Sequence, residues 1–216
     1  MPSHFELFGP AMAAGAEKAL LHLHLRLARD ALVYKVEGLS EADRRRPMTD
    51  TGTNLIGVVK HMTWIESWYL CDAFGRDRPA LPWEADDDAA IFQWSDMYAK
   101  PEETTDELLA AYELAAAAAD RSIEALELDA MGLHPGAGIQ MSLRALLLIV
   151  LLDTTRHAGQ SDIVRELIDG ATGSRGAPSP FPGGSDVEYR ERYLARVRGE
   201  IDSSTWWAYL RARQPG

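Results

Sequence analysis

Apolar positions recur with a helical period in four long stretches of this chain, separated by segments rich in Gly, Pro and polar residues. From about Gly15 to Glu37, Leu20, Leu21, Leu23, Leu27, Leu32 and Val36 predict a first helix, with no proline to interrupt it. Gly38 stops it, Ser40 caps a short turn, and Pro47 ends that turn. A run of capping residues, Thr49 to Asn54, opens a second helix that extends to about Phe74 and closes at Gly75. Its apolar arc is broad: Leu55, Val58, Val59, Met62, Ile65 and Tyr69 form the centre, Gly57, Trp64 and Trp68 one flank, and Lys60, Thr63 and Ser67 the expected wet side. His61 falls inside the arc.

Glu102 to Glu107 starts a third helix with a capping residue and acids suited to a helix N-terminus, and it runs to about Leu126. Leu108, Leu109, Tyr112, Ala116 and Ile123 give its buried edge. Ser142 caps the fourth helix, which ends at Gly170; Leu146, Ile149, Val150, Asp153, His157, Gln160, Val164 and Leu167 share one of its faces. Between the second and third helices, residues 76–101 form a long connection with three prolines, the acidic run Glu84 to Asp88 and the aromatics Trp83, Phe92 and Trp94, which are candidates to line a pocket. Asp129 to Gln140 reads as a loop, with His134 on its mobile surface. After Gly170, an irregular linker, Ala171 to Ser185, leads to one or two short helices; the adjacent Trp206 and Trp207 are expected to cover the bundle, roof the pocket or meet another subunit.

The expected fold is all-α: an up-down-up-down four-helix bundle over residues 1–170, with residues 171–216 as a Gly/Pro-rich linker and a helical tail that packs on the bundle or a partner subunit. At 216 residues and 46% hydrophobic, the chain is long enough for one well-packed domain with residues left over. The longest apolar run, Ala145 to Leu152, is too short to span a membrane, and no signal-peptide pattern stands at the N-terminus; a cytoplasmic location is expected. A single cysteine, Cys71, excludes an intrachain disulfide and a Cys-based zinc site, so any metal must use His and carboxylate. With a net charge of −11, a nucleic-acid partner is disfavoured, and Arg44 to Arg46 reads as a solvated turn. Asp86 to Asp88 lacks the glycine and distal glutamate of a calcium loop and reads as solvated too.

Asp153 interrupts a core stripe, and an ionised carboxylate in an apolar interior needs a cation, a donor or a metal. His157, one turn on, is a natural co-ligand, although Asp-x-x-x-His also makes an ordinary hydrogen bond. For His61 alone, a hydrogen-bonded core histidine is the default. In a bundle, however, inward polar residues from facing helices build metal sites, so His61, Asp153 and His157 become one constellation. Three N/O ligands leave coordination positions open, as in catalytic sites. His22 and His24, two apart, face different ways on a helix and read as structural or solvent-facing.

The segments GTNLIGVVKHMTWIESWYL and LLDTTRHAGQSDIVRELIDG resemble the two signature regions of the DinB/YfiT-like metalloenzymes, specifically the DUF664 branch. The similarity spans roughly the first helix through Gly170. It implies one metal ligand from the second helix and two from the fourth, which carry over onto His61, Asp153 and His157. Family members more often have Glu or His where Asp153 stands and, in this branch, His where Gln160 stands, so Gln160 reads as a contact to a ligating residue or to substrate. Arg156, Trp64 and Trp68 are further candidates to touch substrate or the ligands; for Arg156 a surface salt bridge is the alternative. The resemblance implies a frequently dimeric bundle that binds Zn, Ni or a similar divalent ion. Relatives include a mycothiol-dependent maleylpyruvate isomerase and S-transferases using mycothiol or bacillithiol. The expected partners are therefore a small-molecule thiol such as mycothiol, an electrophile and a second copy of the chain, with neither nucleic acid nor membrane. Metal-dependent hydrolysis, in which the same ion activates water, is the alternative chemistry. A non-haem iron oxygenase shares the ligand types, and a non-catalytic stress-associated module would need only a hydrogen-bonded trio.

Overall fold

Side-chain caps set where three of the four long helices begin. In the computed structural model, which describes residues 17–83, 95–175 and 186–213, seven α-helices and one small hairpin account for the regular structure. They are α1 (Glu17–Tyr34), α2 (Glu41–Arg45), α3 (Leu55–Leu70), α4 (Thr105–Ala125), β1 (Met131–Leu133), β2 (Gln140–Ser142), α5 (Leu143–Asp169), α6 (Val187–Val197) and α7 (Ser203–Ala212). Asn54 Oδ1 accepts the amide of Gly57 at 2.8 Å at the start of α3. Thr104 and Glu107 form a reciprocal capping box on α4, and Ser142 caps α5 through the amide of Ala145. Each satisfies backbone donors that a helix start leaves free. Gly170, at φ 80, ends α5 in a left-handed conformation that other residues adopt at a cost. The acidic run Glu84 to Asp88, Phe92, Trp94 and residues 176–185 of the expected linker lie outside the described residues.

Two compact units are separable, Met1–Arg175 and Gly176–Gly216. In the first, α3 packs on α4 and α5, and α1 packs chiefly on α5. Leu32 of α1 and Val36 just beyond it, Leu108, Tyr112 and Ile123 of α4, and Leu146, Val150 and Val164 of α5 are buried, as the helical period predicts. Leu167 is not: it is exposed, with Leu148, Leu152 and Ile163 of the same helix. In the second unit, Trp206 packs against Tyr189, Tyr193 and Tyr209, whereas Trp207 is exposed. No helix among the described residues is long and apolar enough to cross a membrane.

Three expectations are corrected. Asp129 to Gln140 is not simply a loop: Met131 pairs with Ser142 and Leu133 with Gln140 in an antiparallel hairpin whose second strand runs straight into α5. His134 is tied into its tip, its Nδ1 accepting the amides of Gly136 and Ala137 at 3.2 and 3.0 Å. Of Arg44 to Arg46 only Arg46 is exposed, because the Arg45 guanidinium donates to the carbonyls of Ala99, Lys100 and Glu103 and Arg44 Nε to that of Val36. Lastly, α3 has no wet side. Lys60, Thr63 and Ser67 are all buried, together with Glu66.

Partners from distant parts of the chain make that burial tolerable. Lys60 Nζ donates to both carboxylate oxygens of Glu103, at 2.7 and 2.8 Å, and to the carbonyl of Tyr98. Glu66 accepts a two-pronged pair from Arg29, Nε to Oε1 at 2.9 Å and Nη2 to Oε2 at 2.6 Å, plus the Tyr112 hydroxyl at 3.0 Å. Arg29 continues to Asp120, which His22 also meets at 2.8 Å. His22 is thus structural, and His24 is exposed. Breaking a buried pair leaves an uncompensated charge. Glu66→Ala should therefore lower unfolding free energy by about 3–5 kcal/mol, read from denaturant titration, and Glu66→Gln, which keeps an acceptor for Arg29, by less.

Candidate metal centre

His61 stands on α3 one turn beyond Gly57, and Asp153 and His157 stand one turn apart on the facing α5, so both side chains of the i, i+4 pair look the same way. The Asp153 carboxylate lies between the two imidazoles: Oδ2 is 3.6 Å from His61 Nε2 and Oδ1 is 3.4 Å from His157 Nε2. These separations exceed a hydrogen bond. The rings meet edge to face, with centroids 4.9 Å apart. One donor atom from each residue lies within 4.8 Å of the other two, against about 4.2 Å at most for two donors bound to one ion at about 2.1 Å. A closure of roughly half an ångström would bring the set to bonding distance of a divalent cation. Two imidazoles and one carboxylate suit zinc, nickel or iron and leave coordination positions for a further group.

Each imidazole has a second partner on its far nitrogen. His157 Nδ1 faces Gln160 Oε1 at 2.8 Å. His61 Nδ1 faces Asp96 Oδ2 at 2.5 Å. Asp96 sits on a 3-10 turn, Ser95–Met97, in the connection between α3 and α4. Sequence reasoning missed it, since a residue 35 positions from His61 on an irregular segment shares no period with the helix. Its only signal was a carboxylate beside Trp94 in a connection otherwise judged by its acidic run.

The two histidines carry different charge. Burial works to lower the pKa of His61, but the facing carboxylates of Asp153 and Asp96 outweigh it and raise the value to about 9. Burial, aided by the neighbouring His61 charge, pushes His157 below the ordinary histidine value despite Asp153 and Gln160. Burial alone would raise Asp153; His61, His157 and Arg156 hold it below the usual carboxylate range. At neutral pH these shifts favour His61 as imidazolium, Asp153 as carboxylate and His157 as a neutral ring, the form in which an imidazole ligates.

The other residues singled out in the sequence differ in exposure and in contacts. Arg156 is exposed, and its charge reaches Asp153 and His157. Trp64 and Trp68 are half-buried and stack edge to face at 4.6 Å. Trp83 is buried, with Lys60 Nζ 5.2 Å from its ring centroid. Tyr69, two turns after His61, contacts the ring of His134 at 4.9 Å; burial and the Asp153 charge raise its pKa, so its hydroxyl keeps its proton. Cys71 is buried, and burial pushes its thiol up as well.

The residues 20–170 match the family model described as mycothiol S-transferase, well over half of the chain. Neither a curated protein nor a solved structure matches.

A folded-state pKa above the unfolded value stabilises the fold at low pH. The His61 contribution is complete below its ordinary 6.5 and is lost as pH rises through about 9. In chelator, the thermal midpoint of the wild-type chain should fall across that window, and the fall should shrink in His61→Gln.

Proposed function

The chain belongs to the mycothiol S-transferase family, within the DinB/YfiT-like superfamily, and from that premise we propose a divalent-metal-dependent transferase that joins a low-molecular-weight thiol of the mycothiol type to an electrophile. The observation that carries the reading is the convergence of His61, Asp153 and His157 donor atoms within 4.8 Å on two facing helices. The four long helices α1, α3, α4 and α5 are read as the family's up-down-up-down bundle, with residues 1–170 as the catalytic part. The exposed Leu148, Leu152, Ile163 and Leu167 of α5 favour a homodimer.

His61, Asp153 and His157 would hold the ion. A bound divalent cation supplies Lewis acidity that favours ionisation of a thiol at neutral pH. His157 enters neutral, and His61 would have to give up its Nε2 proton while keeping its Nδ1 proton, donated to the Asp96 carboxylate. Asp153 brings a negative charge between the rings and offsets part of the cation's charge. Tyr69 keeps a proton to donate to a substrate oxygen, and Arg156 offers positive charge at the exposed edge. The chain provides no sulfur nucleophile of its own, because Cys71 is its only cysteine and is buried as a thiol. The attacking sulfur must come from a small molecule. The S–H proton passes to solvent, the sulfur forms a bond to the electrophilic carbon as that carbon's bond to the leaving group breaks, and the leaving group departs with the electron pair.

Purified wild-type protein should hold about one divalent ion per chain, and turnover of electrophiles should require added mycothiol. His61→Ala should lose the ion and reduce thiol-dependent turnover by more than the roughly 10–100-fold typical of losing an outer partner. Equal turnover without thiol would replace this reading with hydrolysis; unchanged metal content in His61→Ala would remove the ligand assignment.

A further inference from the structure

We propose that Asp96 is a positioning residue, whose carboxylate holds the Nδ1–H of His61 and so fixes Nε2 as the ligating nitrogen, and that Asn54 and Gly57 seat the turn that carries it. The inference rests on the metal reading above. An imidazole presents two inequivalent nitrogens, and the partner of one decides which atom the other offers. Here Asp96 occupies Nδ1 at 2.5 Å, while Nε2 faces Asp153 and His157 lies beyond it. The Asp96 side chain is only 9% exposed. Its other oxygen, Oδ1, is buried and has no hydrogen-bond partner among the described residues. A carboxylate is costly to bury, so a nearly enclosed one whose hydrogen bond goes to a ligand ring acts on that ring.

The opening turn of α3 is shaped to receive this segment. A Cβ at Gly57 would lie 1.9 Å from the carbonyl oxygen of Met97 and 2.7 Å from its carbon, a distance that no side chain tolerates and no rotamer relieves. Asn54 is shared between the two pieces: its Oδ1 accepts the amide of Gly57 at 2.8 Å, and its Nδ2 donates to the Met97 carbonyl at 3.3 Å. Lys60 Nζ adds a third tie, to the carbonyl of Tyr98 at 3.1 Å. His61 is four residues beyond Gly57 and therefore on the same face of α3, so a turn lying on Gly57 reaches His61 with the next side chain along. Asn54 and Gly57 fall inside the family-like segment GTNLIGVVKH, where neither has a ligand role; their work is to bring a distant carboxylate to the ligand.

Zinc affinity of the full chain, measured by competition with a chromophoric chelator, tests this. Asp96→Ala should weaken zinc binding by roughly 10–100-fold, and Asp96→Asn by less, since its amide oxygen still accepts from Nδ1–H. Gly57→Ala should weaken binding although it leaves the Asp96 residue itself unaltered, and Asp96→Ala with Gly57→Ala should be no weaker than the weaker single variant, because both act through one contact. Nitrogen-15 NMR of zinc-loaded wild type should show His61 protonated at Nδ1 and a loss of that signature in Asp96→Ala. Circular dichroism of the metal-free variants reports folding; if Asp96→Ala does not fold, Asp96→Asn with the NMR readout decides. Wild-type affinity and an intact His61 signature in Asp96→Ala would overturn the inference while the metal reading stood. Additive losses in the double variant would overturn the seating role of Gly57. A wild-type chain that takes up no zinc would overturn the metal reading itself, and this inference with it.

Discussion

A charge taken out of water has to be met by another group, and α3 carries three ionisable side chains under that constraint within seven positions. Lys60, His61 and Glu66 leave the helix in different directions, and each finds its partners on a different part of the first unit. Lys60 goes to Glu103 and the Tyr98 carbonyl, His61 to Asp96 and Asp153, and Glu66 to Arg29 and Tyr112. Apolar packing tolerates a helix sliding or rotating by a fraction of a turn, since one methyl group replaces another at similar cost. Charged pairs with defined geometry do not, because a small rotation leaves a buried ion without its partner. The direction in which His61 points is thus set by the whole ring of polar contacts around α3.

The two imidazoles of the candidate centre are not equivalent, and the difference lies in what stands behind them. His61 is backed by a carboxylate and His157 by a neutral amide. A carboxylate behind an imidazole pushes electron density toward the opposite nitrogen more strongly than an amide does. The charge difference has further sources: Asp153 and Asp96 together raise the pKa of His61, whereas burial and the neighbouring His61 charge lower that of His157. Gln160 is a neutral amide and adds no charge behind His157.

What could be read from the sequence was local. The ends of α3, α4 and α5 follow from Asn54, Thr104, Ser142 and Gly170, each acting within three or four residues. Asp153 and His157 were legible because a helix turns their spacing into proximity, and His61 because the segment around it resembles a known family. The hairpin escaped because three-residue strands carry almost no alternation, and its Gly and Pro content looked like loop. Lys60, Thr63 and Ser67 looked solvent-facing because polarity along one helix says nothing about an acid 43 residues away that pairs with the first of them. Asp96 failed for the same reason. Long-range polar pairing leaves no periodic trace, whereas apolar burial does.

Cys71 has a consequence beyond the absence of a protein nucleophile. It lies at the end of α3, fully enclosed, with the Ser122 hydroxyl beside its sulfur and its ionisation suppressed by burial. Electrophiles that react with small-molecule thiols react with exposed protein thiolates by the same chemistry, because thiolate fraction and access govern both. A chain that handles such compounds with a reachable cysteine would be alkylated by its own substrates and used up. Keeping its one sulfhydryl protonated inside the core makes this protein inert toward the molecules it is proposed to meet.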